Sequence, residues 1–489
     1  MSPDQVAAAH LAAGRPRDAL LAIEAAAKTP GAPHGVLARY ASVLKALGRI
    51  DDSLAVRRQA AHRFPESGVA WHNLASALGD LGAGAEAAEA CERAFAAGLD
   101  APETWFVYGR ALAATSRLAE ASQALDEAIR RRPAYAEALA QKARLVWAVT
   151  GDADQAAAVF PPGPQWALSV AEIYRDAGDG RRAAAAVDDA ARLAPNDPSL
   201  QQVLAGLWLE LGEDERAATA AATALRLAPQ HPVSLQAWGT VCLALGQADE
   251  ALAAARGLMA ARPLDPSAIA LSAIAARLAG APDYERLYDY EAFVRGYDIA
   301  APAGWATKEA FLVELAATLA ALHEGAAQPP EQSLRNGTQT SGDLRAVHSP
   351  VIRAFFAAID PLIRRYMAEL GAGDDPLRAR NSGGYAIAGC WSNRLRSDGH
   401  HVDHMHPQGW LSSAFYVEVP PEVQTSASHA GWLQFGRPGI RTRPVLEPAH
   451  FERPVPGRLI LFPSYMWHGT TPFTSAEPRT TIAFDVAPA

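Results

Sequence analysis

Cysteine is scarce in this sequence of 489 residues: only Cys91, Cys242 and Cys390 are present. Because they are odd in number and far apart, they exclude a disulfide framework and a CxxC zinc site. Such sparse usage is typical of a reducing compartment, and we expect all three to be core or surface residues.

Long apolar runs and excess positive charge are also missing. No stretch offers the roughly 20 apolar residues of a membrane helix, and the start, Met1 to Gln5, lacks the basic and apolar regions of a signal peptide. The net charge is -9, with 44 Lys and Arg against 53 Asp and Glu. We therefore expect no basic surface that could bind the phosphate backbone of a nucleic acid. We therefore expect a cytoplasmic protein that acts without a membrane or nucleic acid.

What is present changes along the chain. Ala and Leu dominate up to about residue 280, whereas the remainder gains Gly, Pro, Trp, Phe and Thr. A chain of this length is also too long for one core, because single cores stop growing near ~250–300 residues. We predict two parts, residues 1–280 and residues 281–489.

A glycine recurs every 34 residues in the first part. The ladder consists of Gly14, Gly48, Gly82, then Ser116 and Thr150 in phase, and after a short deletion Gly178, Gly212, Gly246 and Gly280. Pro195, Pro229 and Pro263 repeat the same period. A period held over so many units is typical of a repeat architecture.

The individual unit resembles the tetratricopeptide repeat. Trp71, Ala75, Gly82 and Ala87 stand where that repeat has a large residue, a small residue, a turn glycine and a second small residue. Small residues let two antiparallel helices approach, the glycine permits the tight turn, and each pair buries its remaining apolar face against the next. We predict an α-solenoid of seven or eight helix pairs, with a break near 158–165 where prolines interrupt the helix. Its concave groove would bind a protein or peptide partner; a passive scaffold is the alternative.

The second part combines helices with strands. Apolar residues at helical spacing predict helices around Phe311 to Leu322 and Ile352 to Ile363. Short β-branched and aromatic runs separated by Pro and Gly then predict a β core over about 383–487. The predicted strands are Tyr385–Ala388, Trp410–Val419, Gly431–Phe435, Arg458–Phe462 and Thr480–Val486.

Histidines are concentrated within this β core. The segment from His400 to Pro407 reads His-His-Val-Asp-His-Met-His-Pro, and an isolated His468 ends a later strand and turn. Two ligands two residues apart on a strand point to the same side, and a third from a facing strand completes one face of an octahedron. The opposite face stays open for a cosubstrate and O₂. This pattern predicts a mononuclear non-haem iron(II) site.

Spacing alone leaves two ligand pairs open. His404 and His406 would point to one side of a strand, whereas His401 and Asp403 would point to the other, because alternate residues share a face.

A cation and a hydroxyl follow His468 in the sequence. Arg479 can offer a bidentate fork to the distal carboxylate of 2-oxoglutarate, and Thr481, on the same face of the strand, can add a donor. Asn393 is a further candidate for cofactor binding; its alternative role is to cap a loop.

These residues resemble the 2-oxoglutarate- and iron(II)-dependent oxygenases of bacteria and phages, which have a double-stranded β-helix fold. The matching segments are His404–Pro407, Ser412–Tyr416 with Pro420, Gly457–His468 with its Phe-Pro-Ser turn, and Arg479–Phe484. The resemblance covers residues 384–486, and Gln332 to Gly342 resembles an upstream block of the same family.

The resemblance implies a metal triad of His404, His406 and His468, because the family pattern places a proline directly after the second ligand. It also implies that Arg479 and Thr481 hold 2-oxoglutarate. Iron(II), O₂ and 2-oxoglutarate would then yield succinate and a hydroxylated product. A triad of His401, Asp403 and His468 remains the alternative, since the commoner family motif is His-x-Asp.

The sequence thus predicts a multidomain protein, α followed by mainly β. It would have an N-terminal tetratricopeptide-like solenoid and a C-terminal double-stranded β-helix, of jelly-roll and cupin-like form, with flanking helices. Two other functions stay open: a repeat scaffold with an inactive oxygenase domain, and another cupin-type metalloenzyme. The remaining histidines, including His323, His429 and His450, receive no role, while Tyr465 and Trp467 are candidates for walls of the pocket.

Overall fold

The computed structural model describes residues 1–323, 333–340 and 342–489. Gln332 and Ser341, two residues of the predicted upstream block, lie outside the described residues. The chain divides into two compact units, unit 1 (residues 1–193) and unit 2 (residues 194–489). The sequence-based boundary at residue 280, which marks the change in composition, stays a prediction.

Unit 1 consists of helices arranged in successive antiparallel pairs. They are α1 (Pro3–Ala12), α2 (Pro16–Ala27), α3 (His34–Ala46), α4 (Ile50–Arg63), α5 (Gly68–Asp80), α6 (Gly84–Ala96), α7 (Pro102–Ala114), α8 (Leu118–Arg131), α9 (Ala136–Thr150), α10 (Ala153–Ala157), α11 (Ala167–Asp176) and α12 (Gly180–Leu193). Helix α10 has only 5 residues. It is followed by the proline-rich segment near 158–165, where the proline rings prevent the helix from continuing.

The glycine ladder marks the turns inside these pairs. Gly48 and Gly82 have φ of 73° and 76°, a left-handed conformation that costs glycine little. Ser116, in phase with them, adopts φ of 60° despite its side chain. The expectation for Thr150 is wrong by one residue, because α9 includes Thr150 and the left-handed turn falls on Gly151, with φ of 66°.

Small residues determine how closely the paired helices approach. Ala75 and Ala87 are fully buried. At Gly109 an added Cβ would lie 2.8 Å from Leu125 of the partner helix, so no larger residue fits without a shift. Small residues therefore allow the paired helices to approach closely, as the sequence predicts.

Unit 2 begins with further helices of the repeat type and continues into the β core. Its helices are α13 (Pro198–Glu210), α14 (Asp214–Leu227), α15 (Pro232–Leu245), α16 (Ala248–Ala261), α17 (Pro266–Ala279), α18 (Asp283–Leu287), α19 (Tyr290–Phe293), α20 (Lys308–Leu322), α21 (Pro350–Leu370) and α22 (Pro421–Gln424). Helix α17 is buried nearly all round, as expected for an apolar helix enclosed by other elements.

The strands form two antiparallel sheets. They are β1 (Arg295–Asp298), β2 (Leu334–Gln339), β3 (Tyr385–His401), β4 (Leu411–Glu418), β5 (Leu433–Phe435), β6 (His450–Glu452), β7 (Arg458–Pro463), β8 (His468–Thr470) and β9 (Arg479–Pro488). The larger sheet has the order β1-β7-β4-β9-β3-β2 and the smaller sheet the order β6-β5-β8. The described strands do not close into a barrel. The predicted fold class, helical repeats followed by a mainly β part with flanking helices, is confirmed.

The larger sheet has one apolar face and one polar face. On β9, Ile482 and Phe484 are fully buried in the core of unit 2, which α20 and α21 also join. Arg479, Thr481 and Ala483 alternate with them and line a cavity. This alternation is what places the functional candidates on one side of the sheet.

The repeat-type helices of unit 2 also contact the loop between β5 and β6. The backbone N–H of Arg443 donates to Leu243 O at 2.9 Å, and Nη1 of Arg277 donates to Gly436 O at 2.8 Å. Arg441 forms an ion pair with Asp214. Helices α13–α17 and the sheets are therefore packed as one unit. No helix among residues 1–323, 333–340 and 342–489 is long and apolar enough to cross a membrane.

Candidate metal and cosubstrate site

Three histidines meet at the edge of the smaller sheet. His404 and His468 face each other in an isolated antiparallel bridge, with both N···O distances at 2.9 Å. The N–H of His406 donates to Ser464 O at 2.9 Å. Side-chain nitrogens of the three lie within 4.8 Å of one another. We call His404, His406 and His468 the three-histidine cluster.

The backbone around the cluster differs from the expectation of a continuous strand. Strand β3 ends at His401, His404 has only the single bridge, and His406 lies in the following loop. Hydrogen bonds to residues 464 and 468, rather than strand pleating, therefore orient the two neighbouring histidines.

The hydrogen bonds of the cluster determine which ring nitrogen carries the proton. Nδ1 of His404 lies 2.8 Å from Val402 O, and Nδ1 of His468 lies 2.8 Å from Met466 O. Nδ1 of His406 lies 2.7 Å from the carboxylate of Asp485. Because these oxygens can only accept, each Nδ1 donates, and each Nε2 is the ring nitrogen left for a metal.

Burial keeps His404 and His468 neutral. Loss of water, together with the nearby histidines, lowers the pKa of His404 to about 4. The same causes hold the pKa of His468 well below its usual value of 6.5. Neutral imidazole is the form that binds a metal.

Asp403 is directed away from the cluster. Its carboxylate accepts from Arg437 Nε at 2.6 Å and from Gln434 Nε2 at 2.8 Å, and only 8% of its side chain is exposed. His401 instead lies 3.1 Å from the hydroxyl of Ser333 through Nδ1. The structure therefore does not bring His401, Asp403 and His468 together as a ligand set.

A cavity of about 450 Å³ adjoins the cluster. Arg479 lines it and is only 2% exposed. Its guanidinium lies 5.1 Å from the ring centre of Tyr416, and its Nε has no hydrogen-bond partner among the described residues. No carboxylate in the described part of the chain forms an ion pair with Arg479. Burial lowers the pKa of Arg479, which reflects the cost of holding this charge away from water.

Two further sequence candidates lie beside Arg479. Asn393 on β3 is paired with Thr481 on β9, and both line the cavity. They are 3% and 5% exposed, and in the part of the chain that the structure describes Oδ1 of Asn393 has no hydrogen-bond partner. Asn393 belongs to a strand, so the loop-cap alternative is wrong. The pocket thus contains two buried polar atoms, Arg479 Nε and Asn393 Oδ1, that no described residue hydrogen-bonds.

Several residues of the site were not anticipated from the sequence. Asp485 on β9 contacts His406, Ser333 lies beside His401 and His404, and Trp391 stacks on His406 with ring centres 6.1 Å apart. The only available signal for Asp485 was an acidic residue in the apolar run Ile482 to Val486. Ser333 lies in the segment Gln332 to Gly342 that resembles the upstream block of the oxygenase family, whereas Trp391 gave no distinct signal.

The aromatic candidates Tyr465 and Trp467 pack in the core of unit 2, and so does His323, to which the sequence assigns no role. Tyr465 is buried and donates to Leu287 O at 3.0 Å, and the N–H of Trp467 donates to the Tyr288 hydroxyl at 2.9 Å. Neither Tyr465 nor Trp467 is among the described residues that line the cavity. His323 is buried and hydrogen-bonded to the hydroxyls of Thr338 and Ser392, so a structural role accounts for it.

Comparison with known proteins connects the β domain to a family. Residues 389–485 match the family model described as "Putative 2OG-Fe(II) oxygenase". This oxygenase match covers well under half of the chain and includes the cluster and Arg479. Among curated proteins, none matches the chain.

Solved tetratricopeptide proteins are similar to the helical repeats. A thermophilic TPR protein of Thermus thermophilus is 26% identical, with a TM-score of 0.28, over 36% of this chain and 100% of its own. The C-terminal part of a TPR repeat-containing protein from Cytophaga hutchinsonii is 16% identical, with a TM-score of 0.33, over 48% of this chain and 98% of its own.

Proposed function

We propose that unit 2 is an iron(II)- and 2-oxoglutarate-dependent dioxygenase that hydroxylates its substrate. The observation that carries this proposal is Arg479, a buried cation that no carboxylate of the described residues pairs with, in the same cavity as the three-histidine cluster. An unpaired buried charge costs several kcal/mol, so such a group is retained where a ligand supplies the opposite charge. The distal carboxylate of 2-oxoglutarate has that charge.

The three-histidine cluster fits iron(II) as a ligand set. It offers one imidazole nitrogen from each of three side chains, all within 4.8 Å of one another. Imidazole suits iron as well as zinc, copper and nickel. The cluster alone does not select among these metals. The anion site at Arg479 and the oxygenase family match favour iron, because these oxygenases use iron(II) with 2-oxoglutarate.

The protein side chains have distinct roles in this proposal. Bound iron(II) supplies the activation of O₂. Arg479 orients the distal carboxylate, and Thr481 and Asn393 add polar contacts beside it. Because all three are at least nine-tenths buried, the carboxylate exchanges water for fixed charge and dipoles, which strengthens its interaction with Arg479.

We further propose that the tetratricopeptide-like repeats recruit a protein or peptide partner, which carries the group to be hydroxylated. Mass spectrometry of cells with and without the chain would test this role. Proteins that gain one oxygen atom only when the chain is present, and that copurify with it, would support recruitment. Products confined to free small molecules would contradict it.

Turnover measured with purified full-length protein tests the dioxygenase. We expect 2-oxoglutarate consumption and succinate formation that require iron(II) and O₂. Metal binding without succinate would instead indicate another cupin-type metalloenzyme, and neither activity would indicate a repeat scaffold with an inactive domain. Both outcomes contradict the proposal.

Single substitutions test the ligand set. We expect His404→Ala and His406→Ala to lose iron and succinate formation, because each removes one nitrogen of the cluster. Asp403→Asn should keep iron, since this side chain is bonded to Arg437. An iron-free Asp403→Asn beside an active His406→Ala would overturn the assignment.

A further inference from the structure

Asp485 makes the one contact between the three-histidine cluster and a carboxylate in the described part of unit 2. Both carboxylate oxygens lie 2.7 Å from Nδ1 of His406. The hydroxyl of Ser412 donates to Asp485 Oδ1, also at 2.7 Å. Ser412 and Asp485 are paired residues of β4 and β9, so the sheet itself fixes the position of the carboxylate.

The other two histidines of the cluster have neutral acceptors. His404 and His468 donate through Nδ1 to the backbone oxygens of Val402 and Met466. A carboxylate acceptor differs in kind, because its negative charge makes the opposite nitrogen of the ring a stronger electron donor. His406 is therefore the ligand whose electron donation the protein increases.

The charge of Asp485 is directed at the cluster. No Lys or Arg among the described residues forms an ion pair with it; its carboxylate is hydrogen-bonded to His406, and both side chains are 19% exposed. The cluster contains no carboxylate of its own. Asp485 consequently supplies negative charge one hydrogen bond away from a ligand set that consists of imidazole side chains alone.

We propose that Asp485 is a positioning residue, which holds His406 with Nε2 toward the metal and compensates part of the metal charge through the ring. This inference rests on the proposed metal site and specifies how that site is tuned. It assigns to the end of β9 a function distinct from that of Arg479 at its start.

Cobalt(II) binding by the full-length protein tests the inference without turnover. Asp485→Asn keeps the shape of the side chain but removes the charge, and we expect a roughly 10- to 100-fold loss of cobalt affinity with a changed visible spectrum. Ser412→Ala is the matched control, because it removes the other hydrogen bond of Asp485 and leaves the charge; its affinity should stay near wild type. Asp485→Glu should bind cobalt more tightly than Asp485→Asn.

The outcomes separate this inference from the proposed function. Wild-type affinity and spectrum in Asp485→Asn would overturn the role of Asp485, as would equal losses in Asp485→Asn and Asp485→Glu. A wild-type protein that binds no cobalt would overturn the metal site and this inference together. Cobalt binding that depends on Asp485, in a protein that forms no succinate, would support the inference and contradict the oxygenase.

Discussion

Replacing Arg479 with methionine should stabilise the ligand-free protein while it abolishes 2-oxoglutarate binding. The guanidinium is 2% exposed, has no ion-pair partner in the described residues and leaves Nε unsatisfied. Methionine has a similar length and no charge, so it can fill the same space beside Tyr416 without the cost of desolvating a cation.

The size of the effect follows from two opposing terms. Replacing buried ionic groups with apolar side chains of similar volume often stabilises a protein by about 1–4 kcal/mol. The cation–π contact with Tyr416, at 5.1 Å, is lost and offsets up to about 2 kcal/mol of that gain. We expect a net gain of about 1–2 kcal/mol in the free energy of unfolding, which corresponds to a rise of a few degrees in Tm.

The assay compares Tm with and without 2-oxoglutarate in the presence of iron(II) and the absence of O₂. At a ligand concentration near 100 times Kd, wild-type protein should gain about 3 kcal/mol, whereas Arg479→Met should gain nothing. Arg458→Met is the matched control, because Arg458 also opens a strand but is paired with Asp298 at 2.9 Å. It should lose at most about 1 kcal/mol and keep the 2-oxoglutarate response.

Two results would refute the reasoning. A less stable Arg479→Met protein would mean that the buried charge is compensated within the protein. An unchanged response to 2-oxoglutarate would mean that another group holds the distal carboxylate.

Two further predictions concern stability. Burial lowers the pKa of His323 from 6.5 to about 4, so its contribution is complete above pH 6.5 and is lost as the pH falls toward 4. We compare wild-type protein with His323→Gln, whose side chain can still hydrogen-bond Thr338, by urea titration at pH 7 and pH 5. The unfolding free energy of the wild-type protein should fall by about 2 kcal/mol more than that of the variant between these two pH values. Equal losses would contradict this prediction. In unit 1, Gly109→Leu should lower the free energy of unfolding by about 1–3 kcal/mol, because the new side chain collides with Leu125. Gly79→Leu is the control, since no atom lies within 4 Å of an added Cβ there, and it should cost nothing in thermal unfolding. Similar losses in both variants would argue against close packing at Gly109.

Local signals were enough to predict the repeats and part of the site. The left-handed turn at Gly82 depends only on the few residues that connect two adjacent helices, so it recurs with the period of the sequence. Even Ser116, which is not a glycine, adopts this conformation. Arg479 and Thr481 are two residues apart on one strand, where alternation alone places them on the same face. Where the chain determines its structure locally, the sequence is sufficient.

The tertiary structure alone decided which groups surround the histidines. Asp485 is hydrogen-bonded to His406, which lies 79 residues earlier in the sequence. Asp403 is hydrogen-bonded to Arg437, which lies 34 residues later in the loop between β5 and β6. No periodicity encodes such pairs, because they depend on how β4, β9 and the loop pack. The sequence determined that histidines and an arginine would share a β domain; the packing determined which carboxylate faces the cluster, since hydrogen bonds and ion pairs act only over a few ångströms in the folded chain.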